Sequence, residues 1–575
     1  MSTNVSKQKR KDLAEKIKKI YKYIAKLPQD ENTCNLLAWL SEIEKEINAK
    51  KFGLVFEEHR EAIDEDLETH IPVLTENKKL FIDNGGQINF LIEGDNLAAL
   101  KLLLKTHKGK VDVIYIDPPY NTGAKNWKYD NDYVDSNDSF RHSKWLSMME
   151  KRLKLARNLL KNDGIIIVTI DDYEIASLKI LINELYSEEY HLGTIVIKNN
   201  PSGRSTIKGF AVAHEYALFY CKSHEVKIGR LKRTEKQISR YGEKDDISNY
   251  EWVNFRKHGG YKQESPKMYY PIYININNNT MRIPNVEWND IKNEWIIIDK
   301  KIKNEVTVFP IDDEGRERRW KWGIERAKTS ISDMKVGLDR NKNPAVYIKS
   351  RMKDEGMLPL TWWDKTEYSA TSHGNNLLMS IMGEKIFDYP KSLYAVEDCL
   401  RVALNNPSAI ILDFFAGSGT TAHAVMKINS EDNGKRKFIL CTNNENNICR
   451  DVTYERIKRV IKKENYSASL KYYKIDFVPI NDKLYYEYAD LLLKHIRELV
   501  ELENAVNFTG NDKIAIVLTD EEMDDFVKNI KKYKNCRKLY RAHNVLVSGK
   551  QAQALKNAKI RTIVIPDYYY GELEI

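Results

Sequence analysis

No stretch of this 575-residue chain stays apolar for long. Its best apolar runs, residues 165–170 and 409–412, fall far short of the about 18 residues that a bilayer-spanning helix needs. The opening residues, MSTNVSKQKRKD, are polar throughout, so no secretory apolar segment follows the charges. Six cysteines (Cys34, Cys221, Cys399, Cys441, Cys449 and Cys536) form no CxxC pair, which speaks against a zinc ribbon and for free thiols in a reducing compartment. Histidines do not cluster. His214-Glu215 opens like a zinc-protease helix, but Leu218 stands where the second histidine is required. These absences predict a cytoplasmic protein with no membrane partner and no metal.

Apolar residues make up 42% and charged residues 30%, the balance of a folded globular chain. The 92 Lys and Arg exceed the 83 Asp and Glu by nine, a mild positive excess that fits a nucleic-acid partner without requiring one. Apolar positions recur with helical spacing at Leu13, Ile17, Ile20, Ile24 and Leu27, and again at Leu36, Leu40, Ile43 and Ile47. Residues 1–80 therefore read as a helical region whose apolar stripes need cover, either from the rest of the chain or from a second copy.

Short apolar runs of the parallel-sheet type follow at 90–92, 111–116, 164–170, 194–197 and 216–220, with helical stretches at 144–160 and 173–185. Two more, 409–414 and 437–442, flank a helix starting near Thr420. Strands alternating with helices predict an α/β doubly wound, Rossmann-like sheet, split into halves at 81–225 and 376–475. Residues 226–375, rich in Asn, Lys, Trp and Tyr, read as a β-rich insertion with hairpins near 267–274 and 294–298. Residues 476–575 read as a small α/β domain with strands at 513–518, 544–547 and 561–565 and a helix over 520–532.

Two motifs carry chemistry. Asp117-Pro118-Pro119-Tyr120 directly follows the run 111–116, so its side chains would project into the crevice at the carboxyl end of a buried strand. An exocyclic base amine is a poor nucleophile because its lone pair is delocalised into the ring. A carboxylate (Asp117) and a backbone carbonyl (Pro118) can each accept one of its N–H bonds and aim that lone pair at an electrophile. Two prolines stiffen the loop, and Tyr120 can stack on a base taken out of its duplex. The second motif, Asp413-Phe414-Phe415-Ala416-Gly417-Ser418-Gly419-Thr420-Thr421, is a glycine loop entering a helix. Ala422 replaces the third glycine of a dinucleotide fingerprint and no phosphate-loop lysine is present, which disfavours nicotinamide and ATP. About one strand later, Glu445 stands where a ribose diol would be held.

Together these motifs resemble the S-adenosyl-L-methionine-dependent amino-group DNA methyltransferases. The order, DPPY before the glycine loop with an insertion between, resembles the β class. Glu93-Gly94-Asp95-Asn96 and Phe387-Asp388-Tyr389-Pro390-Lys391-Ser392 resemble further motifs of that family, with Ser392 where proline is usual. Gly53-Leu54-Val55-Phe56-Glu57-Glu58-His59, His70-Ile71-Pro72-Val73, Asn199-Asn200-Pro201-Ser202-Gly203-Arg204 and DPPYNTG narrow the likeness to modification subunits of type III restriction–modification systems. The resemblance covers roughly residues 50–475. It implies adenine-N6 methylation of double-stranded DNA, a homodimer, and a helicase–nuclease restriction partner.

Carried onto this chain, the resemblance makes Asp117, Pro118, Pro119 and Tyr120 catalytic. Asp95, Lys391, Asp413, Phe415, Gly417, Ser418, Gly419, Thr420 and Glu445 would then surround the cofactor. The alternative for Asp95 is a helix N-cap, for Lys391 a surface lysine and for Glu445 a loop carboxylate. For DNA, the insertion offers Arg256, Arg316, Arg318, Arg319 and Trp320, basic groups beside an aromatic. The loop 199–209 adds Asn200, Arg204 and Lys208. A solvated basic face is the alternative for these runs. A stand-alone DNA methyltransferase, cytosine N4 or RNA as acceptor, and an inactive DNA-binding subunit are the competing functions.

Overall fold

In the computed structural model, the structure describes residues 5–27, 30–48, 54, 56–129, 132–135, 137–203, 209–353, 355–480, 491–508 and 511–565. The chain divides into two compact units, one of Met1–Gly229 with Leu360–Ile575 and the other of Arg230–Pro359. The insertion is thus shorter than the expected 226–375. Residues 360–375 belong with the first unit because Trp362–Trp363 pairs in parallel with Val196 and Ile197, extending the main sheet.

That sheet has ten strands. In chain order they are β1 (His70–Glu76), β2 (Gln87–Glu93), β3 (Val111–Ile116), β4 (Leu160–Ile170) and β5 (His191–Ile197), then β6 (Glu215–Cys221), β7 (Trp362–Trp363), β8 (Ile410–Asp413), β9 (Lys437–Thr442) and β10 (Ala468–Pro479). Their spatial order is β1-β10-β2-β9-β8-β3-β4-β6-β5-β7. Pairing is parallel from β10 through β2, β9, β8, β3 and β4, while β6 runs antiparallel to both β4 and β5. The helices used below are α1 (Val5–Ile24), α2 (Glu31–Asn48), α3 (Asn96–His107), α4 (Arg141–Leu159), α5 (Ile175–Tyr186), α6 (Leu393–Ala403), α7 (Thr420–Asp432), α8 (Glu455–Glu464) and α9 (Ile496–Asn504).

The run VDVIYI of β3, apart from Asp112 near its start, is apolar on both faces because the sheet is covered on both. Ile114 and Ile116 join the apolar cluster of α3, α4 and α5, while Val113 and Tyr115 are buried on the opposite face, where α6 packs across β3 and β4. Each such side chain contributes roughly 1.5–3 kcal/mol on burial. The doubly wound α/β expectation therefore matches the architecture.

Three local expectations need correction. Residues 70–76, placed in the helical N-terminal region, form β1, in antiparallel register with β10 from His70↔Pro479 to Glu76↔Tyr473. Ile71, Val73 and Leu74 are buried there, so pairing with a distant strand decides their conformation. In the C-terminal region the middle strand is Lys538–Arg541, not 544–547. Leu546 is largely exposed and so cannot be an inner-strand residue. In the insertion the hairpin expected near 294–298 forms, Glu294–Ile297 pairing with Val286–Asn289, but 267–274 is strand only from Ile272, because Pro266–Met268 is a helical turn; Ile272–Asn275 pairs with Thr280–Arg282 and Glu305–Val308.

Helices α1 and α2 form as the spacing predicts and pack on each other through Ile17, Ile24 and Leu40, leaving Leu13, Ile20, Trp39 and Ile43 exposed. The insertion carries a four-stranded antiparallel sheet, with Phe255 stacked on Trp320 at 4.8 Å in its core. The C-terminal three-stranded parallel sheet joins the main core through Ile516, Tyr540 and Ile565, beside Leu499 and Val500 of α9. A buried Lys471 binds Glu501 at 2.5 Å and Glu76 at 3.1 Å, tying β10 to α9 and β1. Among the described residues, no helix is long and apolar enough to cross a membrane.

Candidate active site

β3 and β8 lie side by side although some 300 residues separate them, with Ile411 opposite Val113 and Leu412 opposite Ile114 in parallel register. Their carboxyl ends release DPPY and the glycine loop at the same edge of the sheet. The antiparallel β6 brings its amino end, Glu215, to that edge, and β5 delivers Asn199 there.

Asp117 is half-buried and is held through one carboxylate oxygen. Thr169 of β4 donates its hydroxyl to Asp117 Oδ1 at 2.7 Å, and Lys391 Nζ lies 3.1 Å from the same atom. The Lys391 ammonium also contacts Glu215 Oε2 at 2.6 Å and the Tyr120 hydroxyl, and it sits 4.4 Å from the Tyr120 ring centroid. Glu215 Oε2 further accepts from Tyr120 at 3.0 Å and from Asn199 Nδ2 at 2.8 Å. Burial pushes the Asp117 carboxyl above its ordinary range, with Lys391 pulling it back and Glu215 adding to the rise. Burial works against the Lys391 charge, but Asp117 and Glu215 outweigh it and hold the ammonium protonated.

The DPPY loop is fixed from behind. Trp145 of α4, fully buried, donates Nε1–H to the Pro119 carbonyl at 2.6 Å, and Pro118 is itself buried. The next residue, Asn121, takes a left-handed φ of 56° that asparagine tolerates. Its amide donates to Glu174 Oε1 at 2.5 Å, an oxygen that also meets His142 Nδ1 at 2.5 Å. The loop's shape is therefore set by α4 and by the turn before α5.

The glycine loop is wired to the core with equal care. Asp413 is buried and both its oxygens serve the loop: Phe415 N–H donates to one at 3.0 Å and Thr421 Oγ1 to the other at 2.6 Å. Burial pushes its carboxyl up to about 7. Asp413 thus shapes the turn from below. Gly417 (φ 48°) and Gly419 (φ 75°) adopt the left-handed conformation the tight turn requires. A Cβ at Gly417 would lie 3.4 Å from Phe387 Cζ, so the segment 387–391 reaches from the glycine loop at Phe387 to Asp117 at Lys391. Thr453 holds the Gly417 carbonyl at 2.6 Å, and Ser418 and Thr420 share a buried hydroxyl pair at 3.2 Å.

Asp95 caps α3, accepting from Leu97 N at 2.7 Å, and lies 3.5 Å from Arg152. Asn96 donates to the Phe414 carbonyl at 2.9 Å, joining the GDN turn to the glycine loop. Glu445 lies exposed in the turn after β9. Lys391, expected beside the cofactor, is placed in the Asp117 cluster. Glu215, Thr169 and Trp145 were missed as site residues. A glutamate opening the otherwise apolar run EYALFYC was the available signal for Glu215.

Among the expected DNA contacts, Asn200 is half-buried and Gly203 N–H closes a turn on its carbonyl at 3.0 Å. Arg204 and Lys208 lie outside the described residues. Trp320 is 2% exposed and stacked inside the insertion, and Arg318 is buried on Asp312 at 2.7 Å against the Tyr261 ring. Both are buried within the insertion, so they are not available as the exposed DNA contacts that were expected. Arg316 remains partly exposed but pairs with Asp312 at 2.8 Å and Glu314 at 2.6 Å. Arg256 lies 3.5 Å from Asp313, and Arg319 donates to Ser265 at 2.8 Å. Acidic neighbours in the same turn thus neutralise much of the basic run.

Residues 111–455, more than half of the chain, match the DNA methylase family of N6 and N4 methyltransferases. This chain belongs to that family. The methylase is 36% identical over 365 residues to the type II methyltransferase M.KpnI of Klebsiella pneumoniae, a match covering 61% of this chain and 79% of the relative. It is 30% identical over 396 residues to the type III EcoPI Mod subunit of Escherichia phage P1, covering 63% of this chain and 58% of that subunit. With the type III EcoP15I Mod subunit of Escherichia coli it shares 28% identity over 458 residues, covering 68% of this chain and 66% of the subunit. The methylase thus spans between half and two thirds of these Mod subunits' lengths.

Proposed function

We propose that this methylase transfers a methyl group from S-adenosyl-L-methionine to the N6 amine of an adenine in double-stranded DNA. We further propose that it acts within a type III-like restriction–modification system as the subunit that modifies and recognises the site. The observation that carries the reading is the adjacency of two loops, DPPY after β3 and the glycine loop after β8, on neighbouring parallel strands.

The residues fit the cofactor. Gly417 and Gly419 leave the loop bare at the amino end of α7, and a side chain at Gly417 would begin to fill the space beside Phe387. Phe415, Gly417, Ser418, Gly419 and Thr420 would hold the methionine part, and Glu445 the ribose hydroxyls. Bound there, the cofactor supplies a methyl group already activated on a sulfonium. The protein's task is then positioning. Asp117, anchored at Oδ1 by Thr169 and Lys391, offers its other oxygen to one amine N–H, and the Pro118 carbonyl takes the second. Tyr120, tethered through its hydroxyl to Glu215, presents a ring face for the extruded base. The stiffened loop keeps both acceptors in place as charge develops on nitrogen.

Adenine rather than cytosine rests on the DPPY sequence. A second copy of the chain would cover the exposed faces of α1 and α2, and a helicase–nuclease subunit would complete the system. The M.KpnI likeness favours a second reading, a stand-alone type II enzyme. Long-read sequencing of DNA from cells expressing this chain alone separates them. N6-methyladenine on one strand of a short asymmetric motif supports the type III reading, whereas methylation of both strands of a palindrome supports the type II one. N4-methylcytosine in place of methyladenine overturns the adenine assignment. In the purified protein, Asp117→Ala should lower turnover by at least about a hundredfold with cofactor affinity retained.

A further inference from the structure

Beneath the glycine loop lies a buried cation with no anion beside it among the described residues. Arg456, in the first turn of α8, is 1% exposed. Its Nη1 donates to the Ser418 carbonyl at 3.2 Å, to Ser418 Oγ at 3.0 Å and to Thr420 Oγ1 at 2.8 Å. Its Nη2 faces His423 Nδ1 at 3.5 Å, and its buried Nε has no hydrogen-bond partner. Among the described residues no carboxylate comes within ion-pair distance of it, and the nearby Asp413 has both oxygens occupied by the loop.

The nearest carboxylates are already engaged elsewhere: Glu397 and Glu431 pair with Lys427 at 2.5 and 3.8 Å. The amino end of α7, with Gly419 as its cap and Thr420 as its first residue, places the positive end of the helix dipole at the same loop. Burial, reinforced by the charges of Arg456, Lys427 and Lys463, holds His423 in its neutral form. Burial alone pulls the Arg456 guanidinium down to about 9, with no neighbouring carboxylate to hold it up. A buried charge left without a counter-ion is costly, and proteins ordinarily pair it.

We infer that Arg456 is a positioning residue whose buried charge is balanced by the carboxylate of the cofactor's amino-acid part, making the glycine loop selective for ligands that carry this carboxylate. The inference rests on the cofactor reading above and extends it to a residue outside the glycine motif. Arg456 touches no ligand in this scheme. It acts through Ser418 and Thr420, by fixing the loop and by its field.

The test pairs a change in the ligand with a change in the protein. Titration calorimetry compares S-adenosylhomocysteine with its decarboxylated analogue, which keeps the amine and loses only the carboxylate. Wild-type protein should prefer the carboxylate form by about tenfold or more. Arg456→Gln, which keeps a hydrogen-bond donor and removes the charge, should lose about tenfold in affinity for S-adenosylhomocysteine and less than about twofold for the analogue. Arg456→Lys, which keeps the charge, should retain the preference. Equal weakening of both ligands in Arg456→Gln assigns Arg456 to scaffolding and overturns the inference. So does loss of the preference in Arg456→Lys, or wild-type protein that binds both ligands alike, a comparison that needs no variant to fold. Wild-type protein that binds neither ligand overturns the cofactor reading itself, and this inference with it.

Discussion

Replacing Lys391 with methionine removes the ammonium from the Asp117 cluster while keeping most of the side chain's volume. At an effective dielectric of about 20, charges separated by the observed 3.1 Å attract by about 5 kcal/mol, an upper limit because water can enter the vacated space. The variant also leaves Asp117 facing Glu215, Tyr120, Tyr115 and Asp413 with no cation between them. Losing a positive neighbour disfavours the ionised form of a carboxyl, so Asp117 in the variant gains its proton at higher pH than in the wild type. Since the proposed reaction needs Asp117 as an acceptor, the acidic limb of kcat/KM should move toward neutral pH by about one to three pH units. Activity is then lost as pH falls, and earlier than in the wild type. The assay is methyl transfer to a DNA duplex across pH 5 to 9 under single-turnover conditions, with cofactor affinity measured at each pH. Lys391→Arg should restore most of the profile. If the acidic limb of Lys391→Met superimposes on the wild type while cofactor affinity falls, Lys391 serves the cofactor and the reasoning is refuted.

Other perturbations have equally definite outcomes. Thr169→Val deletes the 2.7 Å bond to Asp117 and should lower kcat about tenfold with KM unchanged; a rise in KM alone would assign Thr169 to binding. Trp145→Phe leaves the Pro119 carbonyl without its donor and should cost about 1–3 kcal/mol in denaturant titration together with some turnover. An unchanged midpoint would mean that the loop is fixed by other contacts. Trp320→Ala should destabilise the insertion by roughly 3–5 kcal/mol while cofactor affinity survives, and undiminished resistance of the insertion to proteolysis would contradict its core role. Lys471→Met leaves the buried Glu501 and the half-buried Glu76 without their cation and should cost roughly 3–5 kcal/mol; a neutral result would show that the pair is dispensable.

The two loops of the proposed site were legible in the chain because short motifs dictate their local conformation. Asp117-Pro118-Pro119-Tyr120 follows a run too apolar to be anything but a buried strand, and Gly417 and Gly419 permit a turn that other residues resist. Local patterning also placed α1, α2 and most central strands. It failed for residues 70–76, where conformation depends on β10, about 400 residues away. It failed again for Arg318 and Trp320, because a basic–aromatic run looks alike on a surface and in a core closed by Asp312.

The sequence by itself determined which residue types are available for the reaction: a carboxylate and carbonyl for an amine, an aromatic ring for a base, a bare glycine turn for a cofactor. Only the tertiary structure decided which of them meet. Strand pairing is non-local, so nothing in either segment announces that β3 and β8 are neighbours or that β6 runs backwards and delivers Glu215 beside Lys391. Burial is likewise collective. Arg456 and Asp413 become a lone cation and a shielded carboxyl only because packed elements take water away from them.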